Sequence, residues 1–359
     1  MQRLAIILYP NHIGQQRMEE LQRKISKNLI RVSILMVILL GLVIALVLTR
    51  TNQHASFLIE RNTSRKEKKQ DSQPASIWKS PDVAAINDPQ EKELVSYGRE
   101  LIANTAKYLG PEGTVGRHSN RMNCQNCHLD AGTKPFGNNY AAVFSTYPKF
   151  RARSGTKETI VKRISDCFER SLNGTAPDST SRELKAMIAY ISFLGSDVKK
   201  GISPQGSGIQ KLTFMMRAAD PLKGKLIYQA KCVSCHGRNG EGLPAAGKKT
   251  FTYPPLWGPD SYNDAAGLYR LSNFAGYIKN NMPYGASYKN QLLNDEESWD
   301  LAAFVNSQSR PHKDQHSDWS DNSKKPIDFP FGPYTDQFTE VQHKYGPFNP
   351  IKKAHLKNL

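Results

Sequence analysis

Seventeen consecutive uncharged residues, Val32 to Leu48, form the first block in the hydrophobic pattern of the chain. As an α-helix they extend about 25 Å, and Leu29 and Ile30 lengthen the run if Arg31 snorkels, so the block can cross a bilayer. Arg17, Arg23, Lys24, Lys27 and Arg31 precede it and predict a cytoplasmic N-terminus with everything after the block exported. The predicted division is a basic leader over 1–31 and a transmembrane anchor or signal segment over 32–49. The run is long for a signal peptide and no small-x-small site precedes Arg50, which favours a retained anchor over a cleaved signal. Met18 offers a later start within the leader. From 50 to 90 the chain is polar and charged, with Arg65-Lys66-Glu67-Lys68-Lys69, and reads as a flexible tether.

Helical periodicity sets in after residue 90. Leu94, Tyr97, Leu101, Ile102 and Ala106 share one face of a helix predicted over 91–108 and ended by Gly110-Pro111. Ile160, Ile164, Cys167, Phe168 and Leu172 predict a second helix, stopped at Asn173-Gly174, and Leu184, Met187, Ile188 and Ile191 a third over 181–194. The pattern then recurs. Residues 220–228 open a second unit, and 295–307 close it through Trp299, Leu301, Ala302 and Val305. Each unit carries one Cys-x-x-Cys-His among Gly- and Pro-rich loops, Cys124 to His128 and Cys232 to His236, which sets a repeat of about one hundred residues. The expected domains are 91–202 and 220–309, joined by a linker over 203–219. The extension 310–359 lacks sustained periodicity, yet pieces such as Phe329-Pro330-Phe331 and Tyr345-Gly346-Pro347-Phe348 are too aromatic for a solvated tail and predict a segment wrapped over the domains. Helix, motif, loops, helix is the order of class I c-type cytochromes. The predicted fold is mainly α, with two tandem class I cytochrome c-like domains, a transmembrane helix before them and an irregular wrapping tail after them.

The 359 residues carry 49 Lys and Arg against 32 Asp and Glu, a formal charge of +17. The basic residues are scattered and no nucleic-acid motif accompanies them, so this charge suits small anions or an acidic redox partner and not nucleic acid. Four of the five cysteines belong to the two motifs. Thiols three apart add to the two vinyl groups of a haem while the adjacent imidazole reaches the iron from the same side. Cys124, Cys127, Cys232 and Cys235 are thus the predicted attachment points of two covalent haem c groups, with His128 and His236 on the irons. Zinc or disulfides give no reason for a histidine in the same place twice.

The fifth cysteine, Cys167, is either a small buried hydrophobe or a ligand. Arg163 and Ser171 lie four residues to either side of it on the predicted helix, so a guanidinium and a hydroxyl flank the sulfur and favour thiolate. Cys167 follows His128 at a range similar to that at which Met282 follows His236. Met282 sits in the polar turn Asn281-Met282-Pro283 and is the natural distal ligand of the second haem. Met187, the only methionine between His128 and the linker, falls on an apolar helical face and belongs to a core, which leaves Cys167 as the candidate for the first haem. A thiolate stabilises ferric iron whereas His/Met ligation raises the potential, and that pairing makes a one-way electron path suited to an enzyme.

Arg163-x-x-x-Cys167-x-x-x-Ser171-x-Asn173-Gly174, with Cys124-Gln125-Asn126-Cys127-His128-Leu129-Asp130-Ala131-Gly132 before it and Lys344-Tyr345-Gly346-Pro347-Phe348 near the end, resembles the dihaem thiosulfate dehydrogenases that form tetrathionate. The resemblance runs from about residue 91 to the C-terminus. It implies two cytochrome c domains, His128/Cys167 ligation of an active-site haem and His236/Met282 ligation of the second. It also implies active-site roles for Arg153, Arg163 and Ser171 beside Cys167. Some relatives carry lysine immediately before the equivalent of Met282; here that position is Asn281, which favours plain His/Met ligation. The implied reaction couples two thiosulfates into tetrathionate, reversibly, with electrons passing from haem 1 to haem 2 and on to a soluble cytochrome c or another redox protein. The implied location is the periplasmic side of the inner membrane, or the free periplasm if the N-terminal segment is cleaved. Two other readings stand beside it: a non-catalytic electron-transfer cytochrome, and a sulfur-oxidation enzyme that conjugates thiosulfate to a carrier-protein cysteine. A dihaem peroxidase leaves Cys167 without a role.

Overall fold

The computed structural model describes residues 17–28, 30, 34–47 and 76–357. The chain divides into two units, Met1–Ala75 and Ser76–Leu359. In the first, residues 17–28 and 34–47 are helical, and Glu20 and Lys24 pair at 2.9 Å one turn apart. Among the described residues no helix is long and apolar enough to cross a membrane. The stretch 34–47 rises only about 21 Å, and residues 32, 33, 48 and 49 of the predicted anchor lie outside the described residues, as does the tether as far as 75. The transmembrane helix expected from the sequence is therefore not carried by the structure.

The second unit contains two helical domains of the same plan. In the first domain, α1 (Pro89–Ala103) starts at the Asp88 cap with proline at its first turn. Helix α2 (Ile160–Arg170) is capped by Thr159 and α3 (Arg182–Leu194) by Ser181, each side chain accepting a backbone N–H of the first turn. In the second domain, α4 (Pro221–Lys231) is capped by Asp220, α5 (Leu271–Asn281) follows, and α6 (Asp295–Ser307) begins with the reciprocal Asn294/Glu297 capping box. The helix expected over 91–108 breaks at Asn104 and resumes over Thr105–Leu109. The break serves the first motif: Thr105 Oγ1 accepts the Cys124 N–H at 3.0 Å, and Asn123 Oδ1 accepts the Ala106 N–H at 2.8 Å. Among the described residues the strands form two short antiparallel pairs, β1 (Lys149–Arg151) with β2 (Thr156–Glu158) and β3 (Leu243–Pro244) with β4 (Phe251–Tyr253).

In each domain the opening helix crosses the closing one at a glycine. A Cβ on Gly98 of α1 would stand 2.0 Å from the Ala186 carbonyl of α3, and a Cβ on Gly224 of α4 would stand 1.9 Å from the Asp300 carbonyl of α6. Leu101, Leu184, Met187, Tyr190 and Phe168 fill the first core, and Tyr228, Phe274, Trp299 and Ala302 the second. Met187 is fully buried, as its position on the apolar face predicts. Replacing Gly98 or Gly224 by Ala gains about 1 kcal/mol of helix propensity but forces backbone apart at the crossing. The clash wins, and each variant is expected to lose at least about 1–2 kcal/mol in urea unfolding of the haem-loaded protein.

Both ends of the predicted domain plan shift. Residues 76–90, placed in the tether by their polarity, are packed in: Trp78 is buried and its backbone N–H donates to Gln205 O of the linker at 2.9 Å. The linker is tied down as well, with the Phe136 and Asn138 N–H groups donating to Gly206 O and Gly208 O. The extension wraps, but it is not wholly irregular, because it holds α7 (Glu340–Tyr345) and α8 (Phe348–Lys357). Phe348 packs on Phe214 and Trp299 at 5.2 and 5.8 Å between ring centres. The two domains meet through Arg121 and Asp260 at 2.5 Å, Asn263 Nδ2 to Glu169 O at 2.9 Å and Tyr277 Oη to Asn126 O at 3.0 Å.

Candidate functional site

The first motif ends in His128, whose Nδ1 lies 2.5 Å from Asn138 O and whose ring stacks on Tyr140 with centres 4.5 Å apart. A carbonyl only accepts, so Nδ1 carries the proton and Nε2 keeps its lone pair for a metal. Burial holds the ring neutral, pushing its pKa down to about 4. Burial also pushes the Cys124 and Cys127 thiols up to about 12.

Helix α2 brings the sulfur chemistry to this histidine. Its Arg163 and Cys167, with Ser171 at its C-cap, line a cavity of about 90 Å³ together with His128 and Asn138. The Ser171 N–H closes the helix on Cys167 O at 2.9 Å. The guanidinium of Arg163 is raised above its usual range, first by the negative charge of Cys167, against the opposing effect of burial. Four of the residues singled out in the sequence therefore converge: His128, Arg163, Cys167 and Ser171.

Arg153 does not line this cavity. It lies in the turn between β1 and β2, where its Nη1 donates to Ala265 O at 3.5 Å and its Nε stands 3.9 Å from Asp318. Burial, and after it the like charge of Arg170, push it down to about 10. Arg170 is itself bidentate on Asp318, with both contacts at 2.8 Å. The extension thus supplies a carboxylate that holds buried Arg170 at the end of α2 and half-buried Arg153 in the hairpin. The second domain supplies much of the cavity wall, including Tyr262, Gly267 and Asn273, and the linker adds Ile209. No periodicity or motif marks these residues, because they act across more than ninety positions of sequence.

In the second domain His236 repeats the arrangement. Its Nδ1 donates to Pro254 O at 2.8 Å, and burial lowers its pKa. His236, Cys232, Cys235 and Met282 line one cavity of about 620 Å³, which reaches Asn126 and Cys127 of the first motif. That volume lies within the range of cofactor pockets. Met282 is the C-cap of α5. Beside it, Asn281 is buried and its Nδ2 donates to Phe136 O and Tyr277 O, while Lys279 is paired with Asp295 at 2.9 Å. In both domains two thiols, an imidazole with its Nδ1 committed to a carbonyl, and a further sulfur are brought to one place, and this donor set fits haem c.

Tandem domains with two such attachment sites define a dihaem c-type cytochrome. Residues 222–309 match the family model of cytochrome c, and residues 115–199 match that of the SoxA/TsdA cytochrome c domain. The chain is 37% identical over 231 residues to a thiosulfate dehydrogenase of Thiomonas intermedia, covering 64% of this chain and 70% of that protein. It is 39% identical over 236 residues to one from Allochromatium vinosum, covering 64% and 83%. A solved thiosulfate dehydrogenase (TsdBA) from Marichromatium purpuratum superposes with a TM-score of 0.60 at 30% identity, covering 66% of this chain and 50% of that one, so the chain spans half the length of that structure. The chain belongs to the dihaem thiosulfate dehydrogenase family, oxidoreductases with two covalently bound haem c groups.

Proposed function

We propose that the protein oxidatively couples two thiosulfates into tetrathionate, in a reaction that also runs in reverse. The observation that carries this reading is the shared cavity of His128, Arg163 and Cys167. A simple electron carrier has no use for a thiol and a guanidinium opening on the same space. His128 and Cys167 are the proposed ligands of one iron, and His236 and Met282 those of the other.

The difficulty of the reaction is charge. Two dianions about 5 Å apart repel by about 13 kcal/mol at an effective dielectric of about 20, and by about 3 kcal/mol in water. Arg163 offsets part of this with its own positive charge. The Cys167 sulfur forms a bond to the terminal sulfur of the first thiosulfate, giving Cys–S–S–SO₃⁻ and releasing two electrons. Ser171 donates to the sulfonate oxygens. The terminal sulfur of the second thiosulfate then attacks the outer sulfur of the adduct, tetrathionate leaves, and the Cys167 thiolate is restored, so a difficult step is divided into two. Haems held through Cys124, Cys127 and His128 and through Cys232, Cys235 and His236 would supply one-electron oxidants for these two electrons, with an external redox protein as the final acceptor.

The site faces the periplasm in this reading, and the charge-free run 32–48 holds the protein to the inner membrane. Haem-loaded protein, assayed with thiosulfate and a one-electron acceptor in salt-washed membranes and in the soluble fraction, is expected to yield one tetrathionate per two thiosulfates, with the activity in the membranes. Absence of tetrathionate in both directions of assay would move the assignment to an electron carrier or to conjugation onto a carrier protein. Activity in the soluble fraction alone would overturn the anchor and leave the reaction standing.

A further inference from the structure

Among the described residues lining the cavity of Cys167, Arg163 is the sole cation, because Arg153 is engaged by Asp318. Two dianions must nevertheless be brought together there. Asn273, at the start of α5, lines the same cavity; its Nδ2 donates to Gly267 O at 2.8 Å, which turns its Oδ1 to accept from the ammonium of Lys211. Lys211 is exposed, and its segment passes the cavity at Ile209. The other charged groups near it, Arg270 and Asp328, are paired with each other and do not neutralise it.

The segment is held in place from below. Gln210 O passes so close to Gly276 of α5 that a Cβ there would lie 2.0 Å from it, and Gln210 Oε1 accepts from Asn280 Nδ2 at 2.7 Å. An ammonium on a flexible stem is thereby given a fixed base and an amide partner beside the cavity.

We infer that Lys211, oriented by Asn273, is the station for the second thiosulfate, binding its sulfonate while the terminal sulfur points inward at the Cys167 adduct. The inference rests on the coupling reaction proposed above. Lys211 is a binding residue and Asn273 a positioning residue. The bond changes are those already given, and Lys211 takes no part in them beyond holding charge.

The test compares Lys211→Gln, Lys211→Arg and Asn273→Ala with wild type as haem-loaded full chains. Lys211→Gln is expected to raise the thiosulfate KM about tenfold with kcat changed less than twofold, and to flatten the rise of KM with salt. Lys211→Arg should restore most of the affinity, and Asn273→Ala should raise KM less than Lys211→Gln. Sulfate, an unreactive dianion, titrated calorimetrically into each protein, should bind Lys211→Gln more weakly. Wild-type KM and salt dependence in Lys211→Gln would overturn the inference, as would an equal loss in Lys211→Arg. If wild type makes no tetrathionate, the coupling reaction fails, and the sulfate titration still decides whether Lys211 forms an anion station: unchanged affinity in Lys211→Gln rejects it.

Discussion

Cys167→Gly is expected to lower thiosulfate turnover on the order of 10³-fold or more, with both haems still attached. The motif thiols Cys124, Cys127, Cys232 and Cys235, proposed as the attachment points, and the imidazoles of His128 and His236 lie on other segments, so the pyridine haemochrome spectrum should still report two haems per chain. Glycine inside α2 also costs about 1 kcal/mol of helix stability, which by itself does not remove activity. Cys167→Ser separates the effects, because it keeps the helix and nearly the volume but replaces the sulfur by a hydroxyl that forms no sulfur–sulfur bond. Both variants should be inactive and folded. Wild-type turnover in Cys167→Ser would show that the thiol is only a packing residue and would end the covalent route.

The parts of this site that were legible in the sequence are those whose chemistry is local. Cys-x-x-Cys-His places ligand and attachment points within five residues, and Arg163, Cys167 and Ser171 share a face because a helix repeats every 3.6 residues. The helix pairs were legible for the same reason, through apolar spacing, whereas the caps Asp88, Ser181 and Asn294 that start three of them come from the structure. Long-range pairs leave no such trace. Asp318 meets Arg170 across 148 positions, and Asn273 and Tyr262 reach the first site from the other domain. Trp78 is one aromatic in a polar stretch, without the repeat that would mark it as core. Helix α7 has six residues, too few for a period to be read. Arg153 was drawn to the site by resemblance, and the β1–β2 turn and Asp318 give it a different partner. The uncharged run 32–48 passed the length criterion as a string, whereas its described helical part does not.

Asp318→Ala should produce the largest loss of stability among single surface-to-core changes in the extension, about 3–5 kcal/mol, the range for breaking a buried ion pair from one side. An exposed pair would cost about 0–1 kcal/mol, and burial decides between the two: the side chains of Asp318, Arg170 and Arg153 are 9%, 10% and 16% exposed. Without the carboxylate, two guanidiniums are left close together out of water. Arg170 loses both of its 2.8 Å contacts, and Arg153, already lowered by burial and by Arg170, keeps a long bond to Ala265 O and the ring of Trp319 at 5.9 Å, neither of which carries a counter-charge. The loss should appear as a lower urea midpoint of the haem-loaded chain. Replacing the pair by apolar groups, as Arg170→Met with Asp318→Leu, should recover part of it, because desolvation of one cation is relieved; the remainder belongs to Arg153, which still lacks its counterion. A single-variant loss below about 1 kcal/mol would show that water reaches the cluster. Since Arg170 ends the helix that carries Cys167, and the Trp319 backbone N–H donates to Arg153 O at 2.7 Å, the same cluster fixes the extension to that helix. Thiosulfate turnover should therefore fall in Asp318→Ala at temperatures below its unfolding, and recover with stability in the double variant.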